Sequence, residues 1–336
     1  MKFSGFSARV LRCAAGAAAA VVVALAGCGG ATQIEPFRPT RILAFGDEAS
    51  VIVPNGAAQG TKYTVNFVAA PASSAANPNP PAVPVCYSNA LWIQSVSSAF
   101  NLVFDECKGV VSTSSGMIFA TLGAKAADIQ AQINTFLDPN NGKAFKGPFT
   151  DSDIVTQMAG QNDILELYAL YPATSEESLL ESARDRGKLL AEMANRIATA
   201  GPAVIVSRLP DVSYTPFARA QELIRPGSAG LLSRLTTEFN TSLQLNLIND
   251  GHLIGLVFGD TAIANYINFP PSGFNLTEPA CLNPATPALT GCTTATLING
   301  TATSTSHLWA GNTQLGPVGH SAIGAAAASR ALNNPF

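Results

Sequence analysis

Arg41-Ile42-Leu43-Ala44-Phe45-Gly46-Asp47-Glu48-Ala49-Ser50 is the stretch on which the fold turns. Ile42 to Phe45 form a short apolar run, the pattern of a buried strand, and Gly-Asp breaks it. A strand that stops at Gly-Asp and turns into a helix puts the next side chain, Glu48, at the carboxyl edge of a sheet. In open α/β folds that edge is where ligands bind. Farther along, the pattern recurs. Residues 116–126 read as an apolar strand, then Gly123, then small residues opening a helix. Residues 152–158 read as a strand followed by Gly160-Gln161-Asn162-Asp163. Residues 203–207 form a buried run of parallel-sheet type, and 253–258 a further strand.

Helical stretches separate the strands. Residues 86–100 carry Leu91, Trp92, Val96, Ala99 and Phe100 on one face, and 128–137 are amphipathic. Residues 175–200 are the clearest helix. Ser175 is placed to cap it, Glu176 and Glu177 sit in its first turn, and Ala200-Gly201-Pro202 stops it. Residues 231–249 and an Ala-rich 322–332 complete the set. Residues 60–68 alternate and read as an exposed strand. Residues 69–84, rich in Ala, Ser, Asn and Pro, read as a surface insertion.

Of the residues, 47% are hydrophobic and 12% charged, with a net charge of -3. A core is affordable, and no basic field attracts nucleic acid. Lys2, Arg9 and Arg12 precede an apolar run from Ala14 to Ala26 that is short for a membrane span and reads as an export signal. It ends Leu25-Ala26-Gly27-Cys28, which resembles a bacterial lipobox. That resemblance implies a mature chain starting at a lipidated Cys28 and held to a membrane, with more than one acyl chain needed for stable anchoring. Gly29 after the Cys resembles an outer-membrane sorting signal. Residues 1–27 are thus a signal, 28–40 a tether and 41–336 one domain, with insertions at 69–84 and 281–305.

Beyond Cys13 and Cys28, four cysteines remain, an even number for an oxidising compartment. Three connectivities are open. Cys86–Cys107 and Cys281–Cys292 are favoured, since each pair brackets one loop-rich segment. The spacings are too wide for a zinc site and only 3 His are present, so no metal or other cofactor is expected.

Gly46-Asp47, Trp92-Ile93-Gln94, Leu122-Gly123-Ala124, Gly160-Gln161-Asn162-Asp163, Leu209-Pro210-Asp211, Phe239-Asn240 and Trp309…Gly319-His320 occur in the order of the blocks of GDSL, or SGNH, esterases and lipases. The chain resembles that family from Ile42 to Leu332. The resemblance implies a three-layer α/β/α sandwich with a parallel sheet in flavodoxin-like strand order. It implies that Gly123 and Asn162 are oxyanion donors, and that Gly46, Asp47, Gly160 and Asp163 support the loops. In such esterases Ser attacks the ester, His takes its proton and Asp orients the His. Those three positions are Glu48, Gln314 and Gly311 here. Gln is no base at neutral pH, and a carboxylate is a poor nucleophile toward an ester. A catalytically degenerate envelope protein that binds an ester, acyl or glycan ligand, or a protein partner, is therefore expected. The rival expectation is an active ester hydrolase with a displaced set, for which Ser50 and His320 are the candidates.

Overall fold

The computed structural model describes residues 36–55, 59–70, 72–73, 77–109 and 113–333. The export signal and Cys28 lie outside the described residues. Five strands form the central sheet: β1 (Arg41–Gly46), β2 (Gly116–Ile118), β3 (Asp153–Met158), β4 (Ala203–Ser207) and β5 (Ile254–Val257). Their spatial order is β2-β1-β3-β4-β5, and every pairing is parallel. This is the flavodoxin-like order that the resemblance implies. β1, at the centre of the reversal, pairs along its whole length with β3, from Arg41 opposite Asp153 to Gly46 opposite Met158.

Parallel strands need crossovers, and the crossovers cover both faces. The helices are α1 (Trp92–Ala99), α2 (Ile129–Leu137), α3 (Gln161–Ala169), α4 (Glu176–Thr199), α5 (Pro216–Ile224), α6 (Ser228–Asn246), α7 (Gly259–Asn268) and α8 (Pro317–Leu332). Alternation along β1 sorts the core. Ile42 and Ala44 point to a cluster with Trp92 and Val96 of α1, Ile263 of α7 and Ile323 of α8. Leu43 and Phe45 point to a second cluster with α2, α3, α4 and α6. A period of two on the strand thus places one hydrophobic layer on each side, giving the three-layer sandwich.

Among the described residues no helix is long and apolar enough to cross a membrane. Both favoured disulfides are present, Cys86–Cys107 and Cys281–Cys292.

Three segments depart from expectation. The helix expected over residues 86–100 spans only Trp92–Ala99, because the chain turns before it, with Asn89 at a φ of +51°. Residues 60–68 are not an exposed strand: Thr61–Lys62 and Val68–Ala69 each make a two-residue antiparallel pairing, with Ile52–Val53 and Val83–Pro84 respectively. Between them Lys62, Thr64 and Asn66 are buried. Their alternation is that of a buried turn whose polar groups are met by backbone. The Lys62 Nζ donates to the carbonyls of Cys86 at 2.8 Å, Ser88 at 2.7 Å and Asn89 at 2.9 Å. The last helix also starts at Pro317, earlier than the Ala-rich run suggests, because proline's fixed φ suits the first helical position.

Candidate active site

The site begins at the end of β1. Gly46 has a φ of +146°, and a Cβ there would lie 2.1 Å from the Met158 carbonyl oxygen, so only glycine lets the strand turn against β3. Gln132 of α2 holds that turn from below. Its Oε1 accepts from the Gly46 N–H at 2.8 Å, and its Nε2 donates to the Gly46 carbonyl at 2.8 Å. Gln132 was missed from sequence, although a buried-face position between Ile129, Ile133 and Phe136 is a signal for a polar residue with a specific task. Asp47 then caps a single 3₁₀ turn, Glu48–Ser50, its Oδ1 accepting from the Ala49 N–H at 3.1 Å.

That turn aims Glu48 at the start of α3. Its Oε2 accepts from the Gly123 N–H at 3.1 Å and from the Asn162 Nδ2 at 2.9 Å. Its Oε1 accepts from the Gln161 Nε2 at 3.3 Å. The two donors that the resemblance assigns to an oxyanion therefore converge on this chain's own carboxylate, and a third amide engages the other oxygen. Glu48 is 3% exposed. The surroundings fix the donors. Gly123 has a φ of +74°, which turns its N–H inward. Asp163 is buried and accepts from the Ala126 N–H at 2.8 Å, tying the start of α3 to the loop after Gly123. Gly160, the residue before α3, lies against the Phe239 ring of α6.

Acidic groups crowd together here. Burial first, then the Glu48 charge, push the Asp47 carboxyl well above its ordinary value. Burial also pushes Asp163 up to about 6, against the pull of the Ala126 N–H and the Arg186 charge.

Glu48 and Gln314 line one cleft, together with Tyr63, Met158, Leu209, Val212, Trp309 and His320. Two of the three positions that the resemblance assigns to a triad therefore line one cleft, and one of them, Glu48, is held by Gly123 and Asn162. The third is closed off. A Cβ on Gly311 would lie 2.5 Å from the Gln314 Oε1, 2.6 Å from the Leu289 Cδ1 and 2.7 Å from the Pro284 carbonyl oxygen. Gln314 and the loop bracketed by Cys281–Cys292 fill the space that a side chain at 311 would take. The open volume of the cleft is ≈ 20 Å³, room for little more than a single water.

The displaced pair does not form. Ser50 is 0% exposed, and its Oγ accepts from the Trp92 indole N–H at 3.0 Å. No hydrogen bond links Ser50 to His320 among the described residues. His320 sits in the first turn of α8 with its Nδ1 buried and unpartnered. Burial, aided by the Lys62 charge, lowers it to about 3, so it is neutral near pH 7. Among the described residues no hydrogen bond joins its ring to an acid or a hydroxyl. Among the described residues no cluster of His, Cys, Asp and Glu is arranged to hold a metal ion.

No protein-family model matches the chain, and no curated protein matches it. Among solved structures it is similar to an acetylxylan esterase from Geobacillus stearothermophilus, at 10% identity over 88% of this chain and 96% of that one, with a TM-score of 0.41. An alpha/beta hydrolase enzyme from the metagenome of Lake Arreo, Spain, is similar at 13% identity over 88% and 95%, TM-score 0.41. A GDSL-like lipase from Parabacteroides merdae is similar at 8% identity over 70% and 85%, TM-score 0.36. The fold assignment itself rests on strand order and the two-sided core.

Proposed function

We propose that this chain is an exported esterase-fold protein that does not hydrolyse esters, its acyl-binding site being filled by Glu48. The observation that carries the reading is the convergence of Gly123, Gln161 and Asn162 on that carboxylate. An ester carbonyl would need the place that Glu48 holds. Among the described residues no serine lines the cleft, and Gln314 supplies no base. Loss of a triad nucleophile or base costs about a million-fold in a well-studied hydrolase. Engagement of an ester, acyl or glycan ligand in this cleft then requires Glu48 to swing aside, because ≈ 20 Å³ holds none of them. The displaced-set alternative is disfavoured by Ser50, which is sealed under Trp92.

A chromogenic short-chain ester offered to purified protein tests this. Release of chromophore at the uncatalysed rate is expected. Turnover abolished by Ser50→Ala or His320→Ala would show an active hydrolase instead. Export and lipid attachment are tested separately, by metabolic labelling with a fatty acid. Label is expected on the wild-type chain and not on Cys28→Ala.

A further inference from the structure

We infer that Gly123, Gln161 and Asn162 form a binding site for a small carboxylate, and that Glu48 is its tethered occupant. This deepens the reading above by naming the ligand class of the same cleft. An oxyanion hole addresses one oxygen. Here two oxygens are addressed: Oε2 by the Gly123 N–H and the Asn162 amide, Oε1 by the Gln161 amide. Gln161 is the residue that turns a one-oxygen hole into a carboxylate clamp. Donors alone converge on the group, which favours an anion over an amide or an ester, each of which offers less negative charge to three N–H groups. The clamp is held rigidly, since the Asn162 Nδ2 also donates to the Ala124 carbonyl at 3.1 Å and Asp163 fixes the turn beside it. Apolar walls from Met158, Leu209, Val212 and Leu315 flank the acid. They suit a short apolar tail and leave no room for a long one.

Glu48→Ala provides the test, because acetate replaces the excised group nearly atom for atom. The variant is heated in sodium acetate, in sodium chloride of equal ionic strength, and in acetamide. A ligand that binds only the folded state raises the melting temperature with its concentration. Acetate should raise it saturably, acetamide and chloride should not, and butyrate should do less than acetate. Adding Gln161→Ala should weaken acetate roughly tenfold, the effect of one charge-assisted hydrogen bond. Wild-type protein should ignore acetate, since the tethered carboxylate outcompetes a free one. Where Glu48→Ala folds poorly, Glu48→Ser serves as the second variant, and recovery of its folded signal by acetate counts in favour. Equal effects of acetate and chloride, or no effect of acetate on either variant, would overturn the proposal. Ester turnover by the wild-type protein would sink the non-hydrolytic reading yet leave the acetate result standing, so the two failures are separable.

Discussion

Glu48 shows how much a single side chain changes when its neighbours stay put. Gly123 and Asn162 stand at the positions that the family resemblance assigns to oxyanion donors, and the Glu48 carboxylate satisfies them from within. Its removal leaves the Gly123 N–H and the Gln161 amide without that partner, and the Asn162 Nδ2 with only the Ala124 carbonyl, in a largely closed cleft. Glu48→Ala should therefore destabilise the protein by about 1–3 kcal/mol in urea unfolding at neutral pH without added carboxylate. Glu48→Gln should lose less, about 1 kcal/mol. Its oxygen can still face Gly123 and Asn162, while Gln161 turns its amide over to meet the new NH₂. Equal stability of all three proteins would mean that the clamp contributes nothing. One step back along the chain, Gly46→Ala is expected to prevent folding. Its Cβ would collide with a backbone oxygen of β3, which no side-chain rotation relieves.

At the scale of elements, Asn66 ties two distant loops. Its Oδ1 accepts from the Lys62 N–H at 2.9 Å, and its amide nitrogen lies 3.0 Å from the Cys292 carbonyl and 3.4 Å from that of Thr290. Asn66→Ala should cost about 2–3 kcal/mol, as buried backbone groups on both loops lose a partner. It should also speed proteolysis within 281–292 more than elsewhere, and uniform sensitivity along the chain would refute the tie. The strands were legible because apolar runs ending in glycine are a local signal. So were Ser175 capping α4 and the disulfide pairs. Residues 60–68 were misread because burial of Lys62 and Asn66 depends on carbonyls contributed by residues 86–89 and 290–292, which no local period announces. The substitutions at 48, 311 and 314 were visible in sequence. That Glu48 folds back onto Gly123 was not, since it depends on the turn after Asp47. The crowding of Gly311 was equally hidden, since it comes from Pro284 and Leu289.

Over the whole molecule, buried ionisable groups shape the response to pH. Burial is the main cause for Glu106, which rises from 4.5 to about 7 with one carboxyl oxygen unpartnered. A raised carboxyl makes the folded state bind more protons than the unfolded one between those values. Stability from this group is thus full below about pH 4.5 and is lost as pH climbs toward 7. Asp47 and Asp163 act in the same direction. His320 acts oppositely. Its fall to about 3 removes stability as pH drops below 6.5. Lys62, lowered by burial to about 7, adds stability as pH rises from there toward 10.5. Glu106→Gln should therefore match wild type near pH 4 and exceed it at pH 8 by something on the order of 3 kcal/mol in denaturant melts. A constant offset at both values would contradict a titrating Glu106. Pro284 and Leu289, pressed over Gly311, carry a steric consequence. With that loop in place, an aspartate at 311 would press its Cβ to 2.7 Å from the Pro284 backbone oxygen, so the loop must shift before it can be seated. Any side chain larger than hydrogen at 311 therefore waits on a rearrangement of the segment between Cys281 and Cys292.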